Sequence, residues 1–123
     1  IAATLTPRLL VRQNVRSVFG DPSRLDAAAV PRYQALLQRQ GVRAAVADIM
    51  RPIYRDHAEI RDIRVPTLVM WGGRDTWVPP AHGARFQRDI PGARLIRYDD
   101  LGHIPMEEDP VRTARDVRGF LRG

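Results

Sequence analysis

The sequence contains no cysteine and no lysine, and it has no long uninterrupted apolar run. The absence of cysteine excludes a disulfide frame and a thiol nucleophile. A membrane-spanning helix needs roughly 20 consecutive apolar residues, so we expect no membrane span. The first residues do not show a basic stretch followed by an apolar one, so no signal peptide is predicted and a cytoplasmic location is expected.

The charge of the chain comes from arginine alone. Twenty basic residues and 14 acidic residues give a net charge of +6 over 123 residues, a length that fits one domain or part of one. A basic balance can indicate nucleic-acid binding. However, the arginines are scattered, and aromatic residues make up only 7% of the chain, which is too few for a base-stacking surface. We therefore expect no nucleic-acid partner and a solvated arginine surface with local ion pairs.

The first part of the chain has the apolar spacing of helices. Three helices are predicted: one from Thr6-Pro7 to the stop at Gly20, one from about Asp26 or Pro31 to Gln40, and one from Val42 to Met50, closed by Arg51-Pro52. Thr6 and Pro7 are suited to the N-cap and the first helical position. Pro31 leaves the second start open, because proline is tolerated only in the first turn.

The second part alternates strand and helix. The predicted elements are a buried strand at Val65 to Trp71, a helix from Pro79 or Pro80 to about Ile90, a strand at Arg94 to Tyr98, and a helix from Asp109-Pro110 with an apolar stripe of Val111, Ala114, Val117, Phe120 and Leu121. A β-α-β unit implies parallel strands joined by a right-handed crossover. Two strands do not form a stable sheet by themselves, so the pattern is typical of the end of a larger fold.

One acid and one histidine follow the two predicted strands. Asp75 comes after the first strand, and His103 lies in the loop after the second, where Gly102 lets the backbone bend. Side chains beyond the ends of parallel strands meet at one edge of a sheet. A carboxylate that orients an imidazole is the arrangement of a general base. Taken singly, Asp75 would be interpreted as a turn aspartate, which is common after glycines, and His103 could be an ordinary loop histidine.

The remaining histidines do not share this context. His57 lies in a short charged stretch and His82 in the first turn of a predicted helix, so both are expected at the surface. No two histidines have the spacing of metal ligands, and no cysteine is present. We therefore expect no metal site.

Residues 63–121 resemble the C-terminal part of the α/β-hydrolase superfamily. Two motifs carry the resemblance: residues 65–79, VPTLVMWGGRDTWVP, and residues 102–110, GHIPMEEDP. The first is similar to the strand and loop that carry the triad acid, and the second to the histidine loop with its Glu-x-Pro and last helix. The resemblance implies Asp75 as the triad acid and His103 as the triad base.

The resemblance also implies a fold class and a domain organisation. The class is α/β, the C-terminal part of an α/β-hydrolase fold with parallel strands and flanking helices. Residues 63–123 would form the C-terminal β-α-β-α part of the core. Residues 1–62 would form a helical cap or lid segment, similar to those of esterase-like and lipase-like members.

The chain departs from the family pattern at the nucleophile. The family's serine lies in Gly-x-Ser-x-Gly and precedes the acid and the histidine. The two serines here, Ser17 and Ser23, have no flanking glycines at that spacing, and Ser17 is predicted in the middle of a helix. We therefore expect the nucleophile upstream of Ile1, in a missing N-terminal half that is the partner of this chain. The chain alone is expected to be an inactive fragment.

The resemblance implies a serine hydrolase that acts on a carboxylic ester or similar small substrate and needs no cofactor. Trp77, Val78, Ile104 and Met106 flank the acid and the histidine and are expected to bind substrate, although ordinary loop packing would explain them as well. Glu108 is expected to cap the last helix or to pair with an arginine.

Three alternatives stay open. Epoxide hydrolases and haloalkane dehalogenases use an aspartate nucleophile with the same histidine. Carbon–carbon bond hydrolases use serine, and many carry tryptophan directly after the histidine, where this chain has Ile104. A non-catalytic binding protein of the same fold is the third alternative.

Overall fold

The computed structural model describes residues 8–50 and 59–123. The predicted N-cap at Thr6, the helix end at Arg51-Pro52 and His57 lie outside the described residues. Contacts divide the chain into two units, one drawn from residues 1–16 and 26–58 and the other from residues 17–25 and 59–123. Residues 17–25 are thus grouped with the C-terminal part. The predicted division into a cap of 1–62 and a core part of 63–123 stays a prediction.

The first unit is helical. Its helices are α1 at Arg8–Ser17, α2 at Ala29–Gln38 and α3 at Val42–Met50. Val11 and Val15 are buried four residues apart on α1, the spacing of one helix face. Pro31 lies in the first turn of α2, where its missing N–H is not needed. Val46 and Ile49, apolar residues at helical spacing on α3, are both exposed.

The second unit contains the parallel sheet. Its elements are a 3₁₀ turn at Pro22–Arg24, strand β1 at Leu68–Gly72, helix α4 at Ala81–Asp89, strand β2 at Arg94–Tyr98, helix α5 at Pro105–Glu108 and helix α6 at Pro110–Leu121. Leu68 pairs with Arg94 and Gly72 with Tyr98 in parallel register. The predicted β-α-β-α order is confirmed. The sequence did not predict α5, a single turn that begins at Pro105.

Strand β1 packs on α4. A Cβ placed on Gly83 of α4 would lie 3.0 Å from the indole of Trp71, so the glycine lets the helix approach the strand. The ring of Phe86, one turn further along α4, lies 5.9 Å from that of Trp71. Strand β1 begins at Leu68 instead of the predicted Val65, which is exposed and precedes a proline.

Helix α6 begins where predicted, but the face that it buries only partly matches the predicted stripe. Asp109 caps it by accepting the N–H of Arg112 at 3.0 Å. The predicted apolar stripe is wrong at its ends, because Val111 and Leu121 are exposed and Thr113 is the buried residue. Thr113 lies about 200° around the helix from Val111, so the two cannot share a face.

Strand β2 and helix α6 are joined by a buried tyrosine. The Tyr98 hydroxyl donates to Asp116 Oδ2 at 3.0 Å, and the Arg112 guanidinium carbon lies 4.8 Å from the centre of the Tyr98 ring. Burial first, and then the hydrogen bond to Asp116, raise the pKa of Tyr98 to about 12. The last helix is thereby fixed against the strand that leads to His103.

Candidate active site

The structure brings Asp75 and His103 into direct contact. Asp75 lies three residues after β1 and His103 five residues after β2, and parallel strands end at the same edge of the sheet. His103 Nδ1 is 2.8 Å from Asp75 Oδ2. The Asp75 side chain is 4% exposed and that of His103 is 33% exposed. The pair therefore combines a buried acid with an accessible imidazole.

Asp75 is oriented by its own loop. Its Oδ1 accepts the backbone N–H groups of Trp77 at 2.9 Å and Val78 at 2.8 Å. The loop is tied to the chain after β2, because Gly73 N donates to Tyr98 O at 2.6 Å and Arg74 N to Leu101 O at 2.9 Å. Both carboxylate oxygens are thus engaged, and Oδ2 is aimed at the imidazole.

The His103 loop is fixed through its backbone to residues 18–21. His103 N donates to Val18 O at 2.7 Å. The backbone of Gly102 does not have a positive φ. The sharp bend expected there therefore does not explain why this residue is glycine. A Cβ on Gly20 would lie 2.7 Å from Gly102 N, and the two backbones could not approach so closely with side chains between them.

Glu108 has a different role from the one expected. Asp109 caps α6 instead, and within the part of the chain that the structure describes Glu108 forms no ion pair with an arginine. Its buried carboxylate accepts backbone N–H groups from Gly20, Asp21 and Gly102. The Glu-x-Pro motif includes this glutamate but gave no indication of this role, because two of its three partners are 88 and 87 residues away along the chain.

Trp77 lies against the imidazole. The two rings are stacked, with centroids 5.8 Å apart and an interplanar angle of 26°. Trp77 Nε1 donates to Ser17 Oγ at 3.0 Å, which fixes the indole although about half of the residue is exposed. Ser17 is the last residue of α1 and not in its middle as predicted.

The other residues expected at the substrate pocket are distributed differently. The backbone of Val78 is engaged at both groups, since its carbonyl accepts Trp71 Nε1 at 3.2 Å. Ile104 is half-buried and directly precedes α5. Met106 is exposed and lines an apolar groove of about 590 Å³ with Met70 and residues of α6, and neither Asp75 nor His103 lines that groove. A substrate-binding role for these residues and for Trp77 stays a prediction.

The contact defines what the imidazole can do. An ionised carboxylate only accepts hydrogen bonds, so a neutral imidazole in this contact carries its proton on Nδ1 and its lone pair on Nε2. An imidazole in that tautomer can accept a proton at Nε2 and return it. His82 lies in the first turn of α4, as predicted, and is half-buried there instead of fully at the surface.

Within residues 8–50 and 59–123, no group of three or more histidine and acidic side chains is arranged to hold a metal ion. None of the helices described is long and apolar enough to cross a bilayer. The cytoplasmic location stays a prediction.

Known proteins match most of this chain in sequence or in structure. Lipase 3 from Moraxella sp. strain TA144 is 33% identical over 91 residues, which are 70% of this chain and 29% of the lipase. A serine hydrolase involved in carbazole degradation, CarC, superposes with a TM-score of 0.83 at 25% identity, over 94% of this chain and 47% of its own. The meta-cleavage product hydrolase CumD from Pseudomonas fluorescens IP01 superposes with a TM-score of 0.80 at 20% identity, over 98% of this chain and 47% of its own.

This chain therefore spans less than half the length of each of these proteins. Residues 2–116 match the family described as Alpha/beta hydrolase family. That match covers nearly the whole chain, including both motifs around Asp75 and His103. The chain belongs to the alpha/beta hydrolase family.

Proposed function

We propose that this chain supplies the triad acid, Asp75, and the triad base, His103, of a serine hydrolase that cleaves carboxylic esters. The observation that carries the proposal is the 2.8 Å contact between His103 Nδ1 and Asp75 Oδ2. The partial exposure of His103 supports access of substrate to the imidazole.

In the proposed reaction, His103 Nε2 takes the proton of the serine hydroxyl as its oxygen attacks the acyl carbon. The same proton passes to the leaving alcohol when the ester bond breaks. Water then attacks the acyl-enzyme, with His103 taking its proton and returning it to the serine as the acid is released. Asp75 keeps Nδ1 protonated and stabilises the imidazolium that forms in each step. These steps need no cofactor.

We propose that the nucleophile and the backbone donors of the oxyanion hole lie in residues that precede Ile1. The family order, in which the serine comes before the acid and the histidine, supports this. Ser17 and Ser23 lack the glycines of the nucleophile turn. Within the described residues, β1 pairs with β2 alone, and a two-stranded parallel sheet needs further strands for stability. The N-terminal half would supply them along the other edge of β1.

Ester hydrolysis is preferred over carbon–carbon bond hydrolysis for two reasons. The lipase is 33% identical to this chain, whereas the meta-cleavage product hydrolase is 20% identical, a level at which the likeness carries only the fold. The residue after the histidine is Ile104, where many carbon–carbon bond hydrolases of the family carry tryptophan.

The test uses the protein encoded by the complete reading frame. A fluorophosphonate probe should label one serine upstream of Ile1, and p-nitrophenyl esters should be turned over. The variant His103→Ala should lose both labelling and turnover. The variant His82→Ala, altered in the first turn of α4, is the matched control and should keep both.

Other results would support the alternatives. A folded protein that the probe does not label, and that has an aspartate in the nucleophile turn, would favour an epoxide hydrolase or haloalkane dehalogenase. No labelling without such an aspartate would favour a binding protein. Labelling combined with turnover of a ring-cleavage diketone but of no ester would favour carbon–carbon bond hydrolysis.

A further inference from the structure

Glu108 is a buried carboxylate that the proposed chemistry does not use. The residue is 6% exposed. Its Oε2 accepts Gly102 N at 2.7 Å and Gly20 N at 2.9 Å, and its Oε1 accepts Asp21 N at 2.7 Å. Three backbone donors from two distant parts of the chain therefore converge on one side chain. Such bonds to a carboxylate are stronger than bonds between neutral groups.

The donors are located on both sides of a close backbone contact. Gly20 and Gly102 approach so closely that neither has room for a Cβ. The N–H groups of Gly20 and Gly102 both donate to Glu108 Oε2. Without this acceptor they would be left unsatisfied, which is costly for a buried N–H. A carboxylate has enough lone pairs for all three donors, and a neutral amide does not.

The contact lies next to the imidazole. Gly102 directly precedes His103, whose own N–H donates to Val18 O at 2.7 Å. The backbone that carries the ring is therefore attached at two successive residues to residues 18–21. Asp75 orients the ring from its Nδ1 side, while Glu108 fixes the chain from which the ring projects.

We propose that Glu108 is a positioning residue for His103. It fixes the Gly102–His103 backbone so that Nδ1 stays within hydrogen-bond distance of Asp75 Oδ2. The kinetic part of this proposal rests on the proposed function. Its structural part does not, since the Asp75–His103 contact can be observed without turnover.

The test is Glu108→Gln in the full-length protein. The amide keeps the size of the side chain, but its NH₂ group opposes at least one backbone donor. Displacement of a reacting group by about 1 Å costs on the order of 100-fold in rate. We therefore expect kcat for a p-nitrophenyl ester to fall about 100-fold, with KM changed less than about threefold. The NMR signal of the His103 Nδ1 proton should weaken or move upfield, because its bond to Asp75 lengthens.

Two matched variants separate positioning from general effects. Glu107→Gln removes the same charge from an exposed neighbour. Arg24→Ala removes a different link of residues 17–25, the 3.0 Å ion pair with Asp100. Both should keep kcat within about threefold and leave the Nδ1 proton signal in place. A loss of kcat in Arg24→Ala as large as in Glu108→Gln would contradict the proposal.

Amide hydrogen exchange in the unmodified protein covers the case in which Glu108→Gln does not fold. The Gly20, Asp21 and Gly102 amides should exchange as slowly as the His103 amide. Fast exchange at Gly102 would overturn the proposal, as would a normal Nδ1 proton signal in a folded Glu108→Gln protein. Absence of ester turnover in the parent enzyme would instead contradict the proposed function and leave both NMR tests valid.

Discussion

At the scale of single residues, the imidazole of His103 is fixed from three directions. Asp75 bonds to Nδ1, Val18 accepts the backbone N–H, and the Trp77 indole stacks on the ring. The sequence predicted the first of these contacts from strand order and motif. Of the other two, the Val18 bond joins residues 85 positions apart that no motif connects, and Trp77 was expected beside the pair only as a substrate contact.

The tautomer of His103 depends on Asp75. We expect Asp75→Asn in the full-length enzyme to lower kcat for a p-nitrophenyl ester by roughly 10⁴-fold with little change in KM, because an amide can donate to Nδ1 and favour the wrong tautomer. Steady-state kinetics would measure this. Asp99→Asn, at an exposed acid on the neighbouring loop, is the control, and an equal loss there would contradict the assignment.

The stacked indole also contributes to ring orientation. We expect Trp77→Ala to lower kcat/KM by about three- to tenfold, because an aromatic contact of this kind stabilises by about 0.5–1.5 kcal/mol. Trp77→Phe keeps a stacking ring and should lose less. If both variants retained full kcat but raised KM equally, Trp77 would be a substrate contact, as the sequence first suggested.

At the scale of elements, two backbone features determine where the acid and the histidine lie. Parallel pairing of β1 with β2 brings the ends of both strands to one edge. The glycine contact between residues 20 and 102 then seats the histidine loop on the chain that follows α1. The first feature follows from hydrophobic periodicity, and the second follows from a tertiary approach that glycine permits.

The glycine contact gives a stability prediction. A Cβ on Gly102 would lie well inside contact distance of Gly20 N and Val18 O. Backbone atoms cannot yield cheaply, so Gly102→Ala should destabilise by about 3 kcal/mol or prevent folding. Gly119→Ala, on the exposed side of α6 with no atom within 4 Å, should instead stabilise by about 0.5–1 kcal/mol. Thermal unfolding of both variants would measure the contrast, and equal midpoints would contradict it.

Tyr98 gives the link between β2 and α6 a pH dependence. Its pKa is raised to about 12 in the folded state, above an ordinary value of about 10, so folding favours the protonated phenol. The stabilisation is complete below about pH 10 and is lost as pH rises toward 12, by about 3 kcal/mol in total. Tyr98→Phe should be less stable at pH 8 and should lack this alkaline loss. Denaturant unfolding at pH 8 to 11 would show it, and parallel curves would contradict it.

At the scale of the whole molecule, the described part of the chain contains the Asp75–His103 pair without a family nucleophile motif. Its sheet has two strands, and its apolar groove beside Met70 and α6 is open. Both features are expected where further strands and helices of the α/β-hydrolase fold would pack.

If the nucleophile and the oxyanion donors lie in residues that precede Ile1, as proposed, the 123-residue chain by itself should not hydrolyse p-nitrophenyl esters. Addition or co-expression of the preceding half should restore turnover. Turnover by the purified chain alone, lost in His103→Ala, would contradict the proposed location of the nucleophile.

The sequence by itself determined the order of elements, the parallel pair and the pairing of Asp75 with His103, because periodicity and short motifs are local properties. It misjudged the ends of the buried face of α6 and the role of Glu108. Only the tertiary structure decided these, since each depends on which backbone or side chain approaches from elsewhere. Glu108 shows the reason most plainly: two of its three hydrogen-bond partners are more than 85 residues away along the chain, and no local pattern encodes such a contact.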